Sequence, residues 1–110
     1  MLVNCRQIAE GIPQVLCEVW GLPQKTRNQT VAQWIQAMEP QLVAAWPEDR
    51  LTAGMLRTMF TGAWQWLAPT PHYGTGIPLR EEVTVALGFC TDLLLFGSLV
   101  LQAHPDPIAP

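Results

Sequence analysis

The chain has 110 residues, of which 14% are charged, and its net charge at pH 7 is −3, with no run of lysine or arginine. This balance excludes the basic surface of a nucleic-acid-binding protein. The length is sufficient for one hydrophobic core without metal or disulfide support. We therefore expect a single domain over 1–104 and a flexible tail over 105–110.

The first helix is predicted over Leu2–Trp20, where apolar residues recur every three or four positions. Gly11 and Pro13 interrupt the pattern, so we expect a kink or two shorter helices. The stripe consists of Cys5, Ile8, Ile12, Val15, Leu16 and Val19.

The second helix is predicted from about Thr30 to Trp46. Thr30 and Gln33 have the spacing of a capping box, in which each side chain satisfies a backbone N–H of the other. Pro40 points directly away from the apolar stripe at 100° per residue, so the helix can continue through it. The stripe consists of Val31, Trp34, Ile35, Met38, Leu42, Ala45 and Trp46.

The third helix is predicted to follow Pro47 and to end at Ala68-Pro69, before an irregular connection over 72–77. Its predicted buried face consists of Leu51, Met55, Leu56, Met59, Phe60, Ala63, Trp66 and Leu67.

The fourth helix is predicted from Pro78 to about Gln102, and Asp92 is the only charged residue between Val83 and Ala103. Such a helix is either the centre of a bundle or a membrane span. Asp92 would cost about 2.5–3.5 kcal/mol inside a bilayer, and the other three helices need an apolar surface to cover. A narrow seam of small polar residues would admit a close neighbour or face solvent: Thr84, Thr91 and Ser98.

These elements predict an all-α fold, a small four-helix bundle-like domain with the hydrophobic C-terminal helix as its central element. A small membrane-associated protein is the alternative that the length of the fourth helix keeps open.

The three cysteines are odd in number and have no CxxC spacing, and no charged leader segment precedes them. This pattern predicts free thiols in a reduced, cytoplasmic protein. Cys5 and Cys90 fall on apolar faces and are expected in the core. Cys17 falls off the stripe of its helix and is expected to be accessible.

The residue types of catalytic sites do not converge in this sequence. His72 and His104 lie in proline-flanked irregular segments and are interpreted as solvated side chains. No spacing suits zinc, and Gly74-Thr75-Gly76 lacks the lysine of a phosphate-binding loop. We therefore expect no catalytic residue, no metal, no cofactor and no enzymatic activity.

Five tryptophans are unusual in so short a chain. Trp64 lies off the predicted stripe of the third helix, with Arg57 on nearly the same line and Phe60 on the margin between them. Tryptophan and arginine are enriched at binding hot spots. Arg57, Phe60 and Trp64 are thus the predicted partner-binding residues, with unused surface of the fourth helix as a second contact.

The low charge and the large apolar fraction indicate that another chain covers part of the surface. The leading hypothesis is a non-enzymatic helical protein-interaction module, such as an adaptor, assembly factor or subunit. It would act as a homo-oligomer or in a complex with another protein. The alternatives are a helical pocket for an apolar or aromatic small ligand and the membrane-associated protein.

Overall fold

The computed structural model describes residues 2–67 and 80–108, and these form four α-helices without a strand. The predicted connection over 72–77 lies outside the described residues. The all-α, four-helix bundle-like fold is confirmed. The helices are α1 (Leu2–Trp20), α2 (Val31–Ala45), α3 (Arg50–Leu67) and α4 (Arg80–Ala103).

The predicted capping box starts α2. The Thr30 hydroxyl accepts the Gln33 backbone N–H at 3.1 Å, and the Gln33 side chain accepts the Thr30 N–H at 3.0 Å. Pro40 lies on the exposed side, and the helix continues through it. A carbonyl freed by the proline on that side can bond to water, which explains why the helix tolerates it.

Helix α1 is a single helix through Pro13, whose side chain is buried. The alternative of two shorter helices is therefore not what the chain adopts. The helix ends at Trp20 and is followed by Gly21, whose φ of 73° favours glycine. The Leu22 N–H donates to the Cys17 carbonyl at 2.8 Å. This backbone hydrogen bond closes the helix in the usual way for a left-handed cap.

Helix α3 contacts each of the other three helices, whereas α4 contacts α1 and α3. We expected α4 to be covered on most sides, but only one of its faces is buried. Of its most apolar 18-residue stretch, 28% is buried. The buried face of α4 consists of Ala86, Cys90, Leu93, Gly97 and Val100.

The buried face of α3 is rotated by about 60° from the predicted stripe, at 100° per residue. Leu51 and Met55 are exposed, since the small side chains of Ala53 and Ala63 face the neighbouring helices instead. Packing on three sides selects this orientation over the one that the large apolar residues favour. The face consists of Ala53, Leu56, Phe60, Ala63 and Leu67.

The buried face of α1 is also rotated from its predicted stripe. Cys17 is fully buried, so the prediction of an accessible thiol is wrong. Its Sγ lies 3.5 Å from the Met38 Sδ, and burial raises the pKa of the thiol to about 12. Ile8 and Val15, two members of the predicted stripe, are exposed instead.

The segment after α4 is attached to the bundle as far as it is described. The Ile108 N–H donates to the Trp20 carbonyl at 2.8 Å, and the partly buried Ile108 side chain packs against the core. The tail that we expected to be flexible over 105–110 is thus held against α1 at residue 108.

Candidate functional site

A groove of about 380 Å³ runs between α1 and α4, and its walls are apolar. Ile8 and Val15, one heptad apart, form one ridge, with 38% and 52% of each residue exposed. Leu94 and Leu101, also one heptad apart, form the other ridge, and Leu94 is 51% exposed. We call this feature the α1–α4 groove.

The bottom of the α1–α4 groove is made by small residues and by Ile12. Gly97 is buried there, and a Cβ added to it would lie 3.2 Å from the Ile12 Cγ2. This close approach is possible because glycine has no side chain to separate the two helices. The two helices therefore meet closely beneath the two ridges.

The outer side of α4 extends this apolar surface. Leu87, Leu95 and Leu99 are each about half exposed, and the predicted seam of small polar residues runs between them and faces solvent. The Thr84 and Thr91 hydroxyls donate to carbonyl oxygens four residues back, at 3.1 and 2.9 Å. The two hydroxyls thus form their hydrogen bonds within the helix. The small threonine side chains leave gaps between the larger leucine side chains.

One exposed acidic residue borders the α1–α4 groove, since Glu18 lies one turn beyond Val15 on α1. Asp92 is also exposed but lies on the opposite side of α4 from Leu94 and Leu101, at 100° per residue. Asp92, the only charged residue between Val83 and Ala103, is therefore a surface carboxylate.

The predicted partner-binding residues are only partly brought together. Arg57 forms an ion pair with Glu39 of α2, and Trp64 is partly buried against the core. Phe60 is fully buried at the centre of the α3 face. The rotation of α3 moves Phe60 from the expected margin into the core, so it offers no surface to a partner.

A second cluster lies where α2 and α4 end. The Trp46 and His104 rings are stacked, with centroids 3.8 Å apart and planes 11° apart, and Trp20 meets the Trp46 ring edge-on at 5.0 Å. The Trp20 indole N–H donates to the His104 carbonyl at 2.7 Å. The interpretation of His104 as a solvated loop residue is therefore wrong.

The same cluster holds Asp49, which precedes α3. Its carboxylate accepts the Thr52 hydroxyl at 2.6 Å and lies 2.8 Å from the His104 Nε2. Hydrogen bonds from Thr52 and then from His104 lower the pKa of the Asp49 carboxyl. An open cleft of about 610 Å³ adjoins the cluster, with Trp46, His104 and Ile108 in its wall.

The cluster resembles part of a catalytic site only in its His–Asp pair. Its remaining members are tryptophans and a helix-start threonine, and they join α1, α2, α3 and the end of α4. We interpret it as a clamp at one end of the bundle. Within residues 2–67 and 80–108, no group of three histidine, cysteine, aspartate or glutamate side chains is placed to hold a metal ion.

The sequence did not reveal either feature in full. The sequence pattern predicted unused apolar surface on α4, which forms one ridge of the α1–α4 groove. It assigned the other ridge, on α1, to the core. The clamp joins residues up to 84 positions apart in the chain, and such contacts leave no periodic signal.

Comparison with known protein families, curated proteins and solved structures finds no match to this chain. Its function is therefore inferred from the geometry of its own surfaces.

Proposed function

We propose that this chain is a non-enzymatic helical protein-interaction module, and that the α1–α4 groove receives an apolar helix of another protein. The observation that carries the proposal is that Ile8, Val15 and Leu94 are 38–52% exposed although they are apolar. They lie on two ridges that face the same groove.

The apolar stripe of α1 is wider than the surface that this chain covers. Leu16 is buried, whereas Val15 and Ile8 on the same stripe are not. Burying apolar surface contributes about 25 cal/mol per Å², and contiguous apolar patches of several hundred Å² mark interaction sites. A partner that covers both ridges would gain this free energy.

The spacing of the ridges favours a helix as the occupant. Ile8 and Val15 are seven residues apart on α1, and Leu87, Leu94 and Leu101 repeat with the same interval on α4. A third helix with apolar residues at i, i+3 or i+4 and i+7 matches this interval along its whole length.

The charge at the border favours another protein over a second copy. Glu18 is acidic, and the described residues that line the α1–α4 groove include no lysine or arginine, so two copies that meet symmetrically through this surface would bring like charges together. A partner helix with lysine or arginine beside its apolar stripe would pair with Glu18 instead.

A bilayer is the second candidate occupant, because α4 has 24 residues and its most apolar 18-residue stretch has a mean hydropathy of 1.9, enough to cross a membrane by length and composition. Core helices of soluble proteins meet the same criterion. The exposed side of α4 carries Asp92, Thr84, Thr91 and Ser98, and a lipid-facing helix would have to bury these polar groups.

The test uses two synthetic 18-residue amphipathic helices with leucines at i, i+3, i+4 and i+7. One has lysines and the other glutamates beside the leucine stripe. We expect the lysine peptide to bind at least tenfold more tightly in fluorescence anisotropy. Amide-exchange protection should then map to 8–16 and 94–101. Leu94→Asp and Val15→Asp should each weaken binding at least tenfold, as for anchor residues.

Leu51→Asp is the matched control, since Leu51 is 89% exposed on α3 and lies away from the groove. An equal loss for Leu51→Asp, or no difference between the peptides, would contradict the proposal. A dimer in light scattering that Leu94→Asp dissociates would assign the surface to a second copy. Flotation with vesicles of anionic and zwitterionic lipid would assign it to a membrane.

A further inference from the structure

Two of the three cysteines lie close together inside the bundle, Cys5 on α1 and Cys90 on α4. Cys5 and Cys90 are 2% and 5% exposed. The Cys90 thiol donates to the Cys5 carbonyl oxygen at 3.6 Å, across a sequence separation of 85 residues. The fold therefore brings together two cysteines that the sequence keeps at opposite ends.

The two thiols also affect each other. The pKa of Cys90 is raised to about 11, first by burial, then by a hydrogen bond with the Cys5 side chain and by repulsion from it. Cys17 has a different neighbour, the thioether of Met38, which cannot form a disulfide. The chain thus contains one pair of neighbouring thiols, Cys5 and Cys90, and a third buried thiol, Cys17, that serves as an internal control for disulfide formation.

We propose that Cys5 and Cys90 form a reversible redox modification site, closed to an internal α1–α4 disulfide by a low-molecular-weight disulfide such as oxidised glutathione. This proposal does not depend on the proposed function, because it concerns the inner contact of α1 and α4 and not their outer surface.

The position of Cys5 gives the reagent access. Cys5 lies in the first turn of α1, which begins at Leu2, and the first turn of a helix opens more easily than its middle. Cys90 lies in the middle of α4, and so it reacts second.

The reaction has two exchange steps. The Cys5 thiolate attacks one sulfur of oxidised glutathione, which breaks the S–S bond, forms a mixed disulfide and releases one glutathione thiolate. Cys90 gives its proton to that thiolate and attacks the Cys5 sulfur, which expels the second glutathione. Two protein thiols lose two electrons in total, and one oxidised glutathione becomes two reduced molecules.

The new bond would link the first and last helices covalently. Closing so long a loop restricts the unfolded chain, which is the main reason that disulfides stabilise proteins. It would also fix the relative position of α1 and α4 about one turn before the α1–α4 groove, whose first lining residues are Ile8 and Leu94.

The experiment incubates the folded protein with oxidised glutathione, blocks free thiols with N-ethylmaleimide in denaturant and measures intact mass. We expect one alkylated thiol per chain, a loss of two hydrogens, and a peptide map that joins residues 5 and 90. The thermal midpoint should rise by at least about 8 °C. Reduction should reverse both changes.

Cys17→Ser should oxidise like the wild type, whereas Cys5→Ser and Cys90→Ser should form no internal disulfide. Three alkylated thiols after incubation, a bond that includes Cys17, or a bond between chains would overturn the proposal. If a serine variant does not fold, the peptide map of the wild type alone decides the outcome.

Discussion

Gly97 of α4 lies so close to Ile12 of α1 that an added Cβ would come within 3.2 Å of the Ile12 Cγ2. The Cγ2 is attached directly to the branched Cβ of Ile12, and χ1 of isoleucine is stiff in a helix. The crowded atom therefore cannot move away without moving the helix. This contact sets the distance between the first and last helices.

We expect Gly97→Ala to lower the free energy of unfolding by about 1 kcal/mol, as overpacking outweighs the gain in helix propensity. Gly88 on the same helix is exposed, with open space around its Cα. Gly88→Ala should therefore stabilise the protein by about 0.5–1 kcal/mol. Urea unfolding of both variants checks this, and a stabilised Gly97→Ala would mean that α1 and α4 can move apart.

Removal of residues 104–110 should open the clamp around Trp20 and Trp46. Trp20 loses its hydrogen-bond acceptor, which costs about 1–3 kcal/mol, and Trp46 loses the stacked His104 ring. We expect a lower thermal midpoint and tryptophan emission shifted to the red. His104→Ala keeps the carbonyl and removes the ring, so its effect should be smaller than that of the truncation.

Asp49 should make stability depend on pH below about 4. Because hydrogen bonds from Thr52 and His104 lower the pKa of its carboxyl, the charged form stabilises the folded state. This contribution is present above the unfolded pKa of about 3.9 and is lost as the pH falls through the lower folded value.

Urea midpoints of the wild type and Asp49→Asn should therefore differ at pH 5 and converge towards pH 2. Thr52→Val, which removes one of the two hydrogen bonds, should give a smaller difference of the same sign. Parallel curves for the wild type and Asp49→Asn down to pH 2 would refute the role of the carboxylate.

Phe60 and Trp64 should respond differently to truncation, although both belong to the predicted contact. Phe60→Ala should cost about 3–5 kcal/mol, since it empties a fully buried site. Trp64→Ala should cost less, because Trp64 is only partly buried. If Trp64 also contacts a partner beside Arg57, this variant should weaken association, measured by light scattering of the complex. Equal losses of stability with no change in association would make Trp64 a core residue.

The helices and their ends could be predicted from the sequence because their causes are local. The Thr30–Gln33 capping box and the exposed position of Pro40 depend on residues within one or two turns. The apolar stripe of α2 was also correct apart from Ala45, which is exposed. This helix packs mainly against α3, so a single stripe describes it well.

The orientation of α1 and α3 could not be predicted in the same way. A helix that contacts several neighbours buries small residues such as Ala53 and Ala63 at close approaches, and these carry little weight in an apolar pattern. The pattern therefore placed Cys17 outside the core and Ile8 and Val15 inside it. For α4, apolar residues surround the helix, so composition alone could not show which side the chain covers.

The hydrogen bond from Trp20 to His104 joins positions 84 residues apart, and this has a consequence for synthesis on the ribosome. At about 5–20 residues per second, the acceptor for Trp20 is made about 4–17 s after Trp20 itself. During that interval the nascent chain exposes the α1 surface that α4 will later cover. The newly made protein should therefore be a transient substrate for chaperones that bind apolar segments.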